Sequence, residues 1–232
     1  MIAMKIAIMQ PYFLPYLGYF QLIDAVERFV IYDDVNYRKQ GWINRNRILL
    51  DGSEFLLTLQ VRGASSFKLI NELEVGGNRE KIVRTLEHAY KKAPFFDSVH
   101  PFLGDVLLSQ EKNLARYIEN SVRRICTELG IVSEILISSE LGTPRELRGQ
   151  DRVLWICEAL GAESYINAPG GRALYSNEDF RRRGIELAFI DPRIFRYAQF
   201  GREFVPNLSI VDVMMFNSRE RIAGTLSEYR VV

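Results

Sequence analysis

The stretch Lys5–Ile23, KIAIMQPYFLPYLGYFQLI, predicts a strand, a tight loop and a helix in close succession. The apolar run stops at Gln10-Pro11, because proline has no N–H to donate and favours extended geometry in the residue before it. Pro15 suits the first turn of a helix, and apolar residues at helical spacing follow from Leu17. Ligands of open α/β sheets bind in such loops after strands. This loop offers an amide and three phenols, from Gln10, Tyr12, Tyr16 and Tyr19.

The composition indicates a globular protein, since 47% of the 232 residues are apolar. A net charge of +1 provides no strong overall field for nucleic acid or an anionic membrane. No apolar run reaches the roughly 18 residues of a membrane span, and no secretory signal pattern precedes the first strand. We therefore expect a cytoplasmic protein with a small-molecule substrate, and neither nucleic-acid binding nor membrane insertion.

Strands and helices alternate along the chain. The second strand, Arg28–Tyr32, completes a βαβ unit, which implies parallel strands. Further strands are predicted at Ile131–Ser138, Glu163–Ile166, Ile185–Ile190 and near Leu69–Leu73, with a hairpin around Asp51-Gly52-Ser53. Helices are predicted at Asn78–Lys92, Val99–Leu129, Asp151–Leu160 and Leu208–Asn217, with Ser176 capping another. We expect one α/β domain over residues 1–232, with a parallel or mixed sheet, flanking helices and a helical insertion at about residues 78–129.

Four polar loops follow predicted strands: Gln10–Tyr19, Asp33–Arg47, Ser138–Glu140 and Asn167–Arg172. Loops after parallel strands meet at one edge of a sheet, so we expect these four to share a cleft. Asp33 and Asp34 are the candidate catalytic residues, because a carboxylate there can act as a base or ligate a divalent cation. The alternative is a strand-end pair that caps a turn and meets Arg38 or Arg45.

Basic and aromatic residues alternate after the second strand. Guanidinium groups suit phosphate or carboxylate, and aromatic rings suit a base or a sugar face. The candidate binding residues there are Tyr37, Trp42, Asn44, Arg45 and Asn46, although a solvated hairpin has a similar composition. Ser138, Asn167, Gly170, Gly171 and Arg172 complete the set in the later loops, where glycine backbone N–H groups can approach an anion or form an ordinary turn.

Histidine and cysteine carry no predicted chemistry. His88 and His100 have no partner at metal-ligand spacing and no nucleophile elbow beside them. Cys126 and Cys157 lie in helical apolar patterns and are expected to be reduced core residues. Histidine and cysteine therefore predict no metal site, and we expect none; the sequence identifies neither a cofactor nor an oligomeric state.

Four motifs resemble those of the WbqC-like family: KIAIMQPYFLPY at residues 5–16, YDDV at 32–35, GWINRN at 41–46 and FVPNLSIVD at 204–212. The resemblance covers nearly the whole chain. It implies a bacterial protein of gene clusters for cell-surface polysaccharide such as O-antigen, and a transferase that attaches an acyl or aminoacyl group to an amino sugar or nucleotide-linked sugar. Family motif positions carried over are Gln10, Pro11, Tyr12, Pro15, Tyr16, Asp33, Asp34, Gly41, Trp42, Asn44, Arg45, Asn46, Pro206, Asn207, Ser209 and Asp212. Among them, Asn207 is a further candidate binding residue.

In that reading Asp33 or Asp34 deprotonates an attacking amine, and Arg45 with the Asn167–Arg172 loop holds phosphate. Gln10, Tyr12 and Trp42 shape the sugar or acyl pocket. A non-catalytic binding protein of a biosynthetic cluster is the further alternative.

A second, shorter resemblance is to nucleotidyltransferases of the HIGH type. Tyr16-Leu17-Gly18-Tyr19 is similar in spacing to their His-x-Gly-His motif, and Ile137-Ser138-Ser139 is similar to a later motif of several such enzymes. It implies a Rossmann-like, nucleotide-binding fold. Tyrosine stands at both histidine positions, which removes the groups that stabilise a transferring phosphate.

Overall fold

The computed structural model describes residues 3–201 and 203–232. Its central sheet consists of strands β1 (Lys5–Met9), β2 (Arg28–Ile31), β7 (Glu134–Ile137), β8 (Ser164–Asn167), β9 (Glu186–Pro192) and β10 (Tyr229–Val231). They lie in the order β10-β9-β8-β1-β2-β7. All neighbours pair in parallel except β9 and β10, which are antiparallel. The predicted α/β class with a parallel or mixed sheet is therefore confirmed.

Helices cover both faces of this sheet. They are α1 (Leu17–Asp24), α2 (Arg79–Tyr90), α3 (Phe96–Leu107), α4 (Leu114–Leu129), α5 (Gly149–Ala159), α6 (Asn177–Arg182), α7 (Ile210–Phe216) and α8 (Arg219–Thr225). Alternate residues of a strand point to opposite faces. In β1, Ala7 joins the core formed with α1 and α4, whereas Ile6 and Ile8 join the core formed with α5 and α6. The result is a three-layer arrangement of helices, sheet and helices.

Two small antiparallel ribbons follow the second sheet strand. The predicted hairpin is β3 (Arg45–Leu50) paired with β4 (Ser53–Thr58). Its turn residues Asp51 and Gly52 have φ of 51° and 76°, as a two-residue hairpin turn requires. β5 (Val61–Arg62) pairs with β6 (Glu74–Val75).

Three local predictions were wrong. Leu69–Leu73 is not a strand: Ile70–Glu72 forms a 3-10 helix, and Glu72 accepts a hydrogen bond from the Leu69 N–H. Pro15 lies before the first helix and not in its first turn, because α1 begins at Leu17 with Tyr16 as its N-cap. The expected helix Val99–Leu129 is divided into α3 and α4.

The division has a clear cause in the connecting segment. Lys112 and Asn113 pair with the β5–β6 ribbon: the Lys112 carbonyl accepts a hydrogen bond from Val75 N (2.8 Å). The Asn113 side chain then caps α4 by accepting from Arg116 N at 3.1 Å. These long-range contacts, which the helical spacing does not encode, end one helix and begin the next.

The C-terminal region contains more structure than the sequence predicts. The predicted helix Leu208–Asn217 is present as α7, but α8 and the edge strand β10 follow it. β10 has only three residues and packs antiparallel on β9. No helix among the described residues has the length and apolar character needed to cross a membrane.

Candidate functional site

The four polar loops lie at one edge of the sheet, because β1, β2, β7 and β8 are parallel and each loop follows the carboxyl end of one of them. They do not form the single cleft expected from the sequence. Two of the cavities beside these loops contain predicted site residues and share no lining residue with each other. One, of about 610 Å³, lies beyond β2 and β7. The other, of about 200 Å³, lies between the loop after β1 and the β3–β4 hairpin.

We call the larger cavity the arginine pocket, because its lining includes Arg145, Arg148 and Arg152 together with Tyr32, Asp34, Asn71, Ser139 and Thr143. Arg145 and Arg148 are exposed and precede α5. Arg152, in the first turn of α5, is buried. The pocket lining therefore includes one buried cation and two solvent-exposed cations.

Asp34 and Arg152 form an ion pair within this pocket. Their side chains are 15% and 9% exposed, so the pair is shielded from water. The Arg152 guanidinium also lies 5.5 Å from the centre of the Tyr32 ring, a cation–π distance. Burial raises the pKa of Tyr32 to about 12, so its phenol is protonated at neutral pH. Asp34 thus meets Arg152 rather than Arg38 or Arg45.

The pair is incompletely hydrogen-bonded. Asp34 Oδ1 and Arg152 Nε are buried and have no hydrogen-bond partner in the described part of the chain. The same holds for Thr143 Oγ1, also in the pocket lining, and for the neighbouring Ser138 Oγ. Buried polar atoms are normally paired, since an unpaired one costs about 1–3 kcal/mol. Asp34 Oδ1 is thus an acceptor that lacks a donor, and Arg152 Nε is a donor that lacks an acceptor.

Asp33 is in a different position from Asp34, although the two are adjacent. It is 2% exposed and accepts three hydrogen bonds. Ser139 donates from its N–H (2.9 Å) and its hydroxyl (2.7 Å), and Asn71 donates from its amide (3.1 Å). Burial raises the pKa of Asp33, which the bonds from Ser139 partly offset. Asp33 therefore holds the 3-10 helices Ile70–Glu72 and Ser138–Glu140 against the end of β2.

We call the smaller cavity the tyrosine groove. It is lined by Tyr12, Tyr16, Trp42, Asn46, Arg47 and Asn207. Five of these are binding residues predicted from the sequence, and Arg47 is the last residue of the predicted Asp33–Arg47 loop. The Arg47 guanidinium lies 5.8 Å from the centre of the Trp42 ring and pairs with Glu54 at 2.7 Å. The groove brings together residues from three distant parts of the chain.

Backbone contacts hold these three parts in place. The Asn46 amide donates to the carbonyl oxygens of Phe13 (3.2 Å) and Leu14 (2.9 Å). The Ser209 hydroxyl donates to Leu14 O at 2.7 Å, and Ser209 N donates to Arg47 O at 2.8 Å. Asn46 and Ser209 therefore fix the geometry of the groove, and the fully bonded Asn46 amide has little capacity left for a ligand.

Other predicted binding residues have structural contacts outside both cavities. Tyr19 is buried in the core and donates its hydroxyl to the Gln10 carbonyl at 3.0 Å. Tyr37 donates to Asn44 Oδ1 at 2.8 Å, while Arg45 Nε donates to Gly41 O at 3.0 Å. Gln10, Tyr19, Tyr37, Asn44 and Arg45 line neither cavity. Their observed contacts fix the loops that carry the lining residues.

The loop after β8 also lies outside both cavities. Pro169–Leu174 is a 3-10 helix that contains Gly170, Gly171 and Arg172. A Cβ on Gly171 would lie 2.6 Å from the Asn167 amide nitrogen, so this glycine permits close packing of loop and strand. The Arg172 guanidinium lies 5.5 Å from the centre of the Phe189 ring.

A buried carboxylate lies in the first turn of α7, outside the lining of both cavities. Asp212, at the start of α7, is fully buried and accepts hydrogen bonds from Tyr90 (2.8 Å), Tyr197 (2.7 Å) and Gln199 (3.1 Å). No cation pairs with it among the described residues. Burial therefore raises the pKa of Asp212, and the three hydrogen bonds oppose that rise only in part.

This pKa shift predicts a pH dependence of stability. The folded state keeps the Asp212 proton to higher pH than the unfolded chain, whose carboxyl has an ordinary pKa of 3.8. The folded state then binds more protons, so the free energy of unfolding falls as pH rises from about 3.8 through the raised pKa. Asp212→Asn removes this contribution. Urea unfolding at several pH values should show wild type losing stability relative to Asp212→Asn over that window; parallel curves would contradict the account.

The family of the chain follows from comparison with known proteins. The sequence profile of the WbqC-like protein family matches residues 10–223, which include both cavities. The chain belongs to the WbqC-like protein family. An uncharacterized protein of Mycobacterium tuberculosis, Rv1507c, is 32% identical to this WbqC-like protein over 220 residues, which cover 92% of this chain and 93% of the mycobacterial one. No protein of solved structure matches it.

Sequence reasoning missed much of the arginine pocket of this WbqC-like protein. Arg145 and Arg148 precede α5, and only Arg152 is part of that helix. The available signal was three arginines within eight residues, but charged residues around the start of an amphipathic helix are typical of a solvated surface. Ser139 lies in the predicted Ser138–Glu140 loop, whereas Asn71 and Thr143 belong to no predicted site loop. Among the described residues, no group of three or more histidine, cysteine, aspartate or glutamate side chains is placed to hold a metal ion.

Proposed function

We propose that this WbqC-like protein is a transferase of bacterial cell-surface polysaccharide biosynthesis, such as that of O-antigen. It attaches an acyl or aminoacyl group to an amino sugar or a nucleotide-linked sugar. One observation carries the proposal: three arginines and a buried carboxylate oxygen without a partner line one cavity at the carboxyl ends of β2 and β7. Ligands of open α/β sheets bind at such an edge.

The charges of the arginine pocket favour a substrate that carries phosphate. Guanidinium groups bind phosphate through paired, charge-assisted hydrogen bonds. Arg152 Nε has no partner, and the exposed Arg145 and Arg148 lie at the same cavity. The volume of about 610 Å³ is within the ~300–1,000 Å³ of small-molecule sites. A phosphate-linked sugar satisfies both the charge and the size.

Asp34 is the residue that we assign to proton transfer. In the proposed reaction, the amine nitrogen of the sugar forms a bond to the carbonyl carbon of an activated acyl donor. The bond from that carbon to the leaving group breaks, and the leaving group departs with the electron pair. The amine proton passes to Asp34 Oδ1, which is the oxygen without a partner. Asp33 is a positioning residue in this account, because three donors already occupy its carboxylate.

Thermal unfolding with UDP-N-acetylglucosamine tests the binding part of the proposal. A ligand at 100 times its Kd stabilises the folded state by about 2.7 kcal/mol, which raises Tm measurably. We expect a rise in Tm for the wild type and loss of that rise in the double variant Arg145→Ala/Arg148→Ala. The control variant Arg84→Ala, which removes an exposed arginine of α2, should retain the rise. An equal rise in the double variant, or none in the wild type, would contradict the proposal.

A nucleotidyltransferase-like activity is the second candidate. The strand order favours it, since the sheet extends in both directions from β1, as in nucleotide-binding doubly wound folds. The positions similar to the His-x-Gly-His motif argue against phosphate transfer there: Tyr16 lines the groove, and Tyr19 is buried. A rise in Tm with ATP or CTP and Mg²⁺, without a response to nucleotide sugars, would favour this candidate.

A further inference from the structure

We propose that the tyrosine groove binds a single uncharged pyranose ring, at a site separate from the arginine pocket. The groove and the pocket share no lining residue. The groove includes the loop after β1, and the order of the strands reverses at β1, between β2 on one side and β8 on the other. Crevices of open α/β sheets at this point commonly bind ligands.

The size of the groove limits its occupant. Its volume is about 200 Å³, below the ~300 Å³ at which sites for drug-sized ligands begin. The Trp42 ring is 42% exposed beside it, an unusual exposure for so large an aromatic side chain. A single ring therefore fits, and an aromatic side chain is available to pack against its C–H groups.

Hydrogen-bond donors surround the groove on several sides. The hydroxyls of Tyr12 and Tyr16 make no hydrogen bond to another described residue, and burial raises the pKa of both phenols, which keeps them protonated. Arg47 Nε is buried and has no partner within the described residues. Glu54 already offsets the charge of Arg47. The groove therefore offers donors without a strong net charge.

The position of Tyr16 is built into the fold. Its ring lies directly over Gly18, where a Cβ would collide with the ring. Asn207, opposite, has a left-handed φ of 56°, which turns the chain so that its amide lines the groove. A non-glycine residue in this conformation stores a small strain that a functional site often carries.

The arrangement of these hydrogen-bond donors favours a sugar over an acyl chain or a nucleobase. An acyl chain would leave the phenols and Arg47 Nε without acceptors, and each unpaired donor would make the free energy of binding less favourable. A nucleobase presents its acceptors in one plane, whereas these donors come from the loop after β1, from the hairpin and from the Asn207 turn. A pyranose carries oxygens around its whole ring and meets donors from all three directions.

The two tryptophans of the chain allow a direct test. In a Trp155→Phe background, Trp42 is the only tryptophan, and its fluorescence reports on the groove. We expect methyl glucopyranoside or N-acetylglucosamine to change this fluorescence saturably. Tyr16→Phe should weaken binding about 3- to 10-fold, the effect of one lost neutral hydrogen bond. Tyr229→Phe, a tyrosine outside the groove, should have no effect. Calorimetry on protein that retains Trp155 provides the same affinities.

The inference rests on the proposed function: the reacting sugar lies in the arginine pocket with its amine at Asp34, and the groove holds a second, non-reacting pyranose of a polysaccharide substrate. The fluorescence test measures pyranoside binding without turnover, and the double variant Arg145→Ala/Arg148→Ala should leave that binding unchanged. A negative result at the groove is therefore distinguishable from a negative result at the arginine pocket. No response to either pyranoside would overturn the inference. A response to uridine in their place, or equal affinity in Tyr16→Phe, would also overturn it.

Discussion

Replacement of Asp34 by asparagine is expected to lower the rate of acyl transfer by about 100-fold or more, the contribution of a general base. The amide retains the shape of the side chain and an oxygen for Arg152, but it takes no proton from an amine. The nucleotide-sugar-dependent rise in Tm should remain, because Arg145 and Arg148 are unchanged. Measurements of turnover and of the ligand-dependent rise in Tm on the same preparation distinguish loss of proton transfer from loss of ligand binding.

Asp105→Asn is the matched control for this variant. Asp105 is an exposed aspartate of α3, outside both cavities, so its neutralisation should leave turnover unchanged. Since Asp34 is paired with the buried Arg152, its variant should also lose some stability, and assays belong well below its Tm. Full turnover by folded Asp34→Asn would remove Asp34 from the mechanism.

Replacement of Asp33 by alanine is expected to destabilise the fold by about 3 kcal/mol or more. The variant leaves three donors without their acceptor, from Ser139 twice and from Asn71. Each such loss costs roughly 1–3 kcal/mol in a buried setting. Denaturant unfolding should show a lower midpoint with an unchanged slope.

Ser139→Ala supplies the comparison for Asp33. It removes one of the three hydrogen bonds and should cost about 0.5–1.5 kcal/mol, well below the cost of Asp33→Ala. Wild-type stability of Asp33→Ala would contradict the positioning role of Asp33. Asp33 would then again be a candidate for the general base.

The regular parts of the fold were predictable from local pattern. Apolar runs of strand length ended by polar loops marked β1, β2, β7 and β8, and the βαβ spacing implied that they are parallel. Because parallel strands end at the same edge, the four polar loops could be placed there from the sequence alone. The Asp51-Gly52 turn likewise marked the β3–β4 hairpin.

The different roles of the site residues were not predictable from the sequence. Asp33 and Asp34 are adjacent and chemically alike, and only tertiary contacts distinguish them. Ser139 lies 106 residues from Asp33, and Arg152 lies 118 residues from Asp34. Tyr19 looked like Tyr12 and Tyr16 in the loop sequence, but its place on the inner face of α1 buries it in the core. The periodicity of a sequence predicts which side chains share a face of a helix or strand. It does not predict which residues of other elements those side chains contact.

The central claim is that the arginine pocket holds the phosphate of the substrate at Arg152 and its sugar at Asp34. A crystal structure of the protein soaked with UDP-N-acetylglucosamine tests it most directly. The account predicts phosphate oxygens within hydrogen-bond distance of Arg152 Nε and a sugar nitrogen or hydroxyl facing Asp34 Oδ1. A ligand bound at another site, with the Asp34–Arg152 pair unoccupied at saturating ligand, would contradict it.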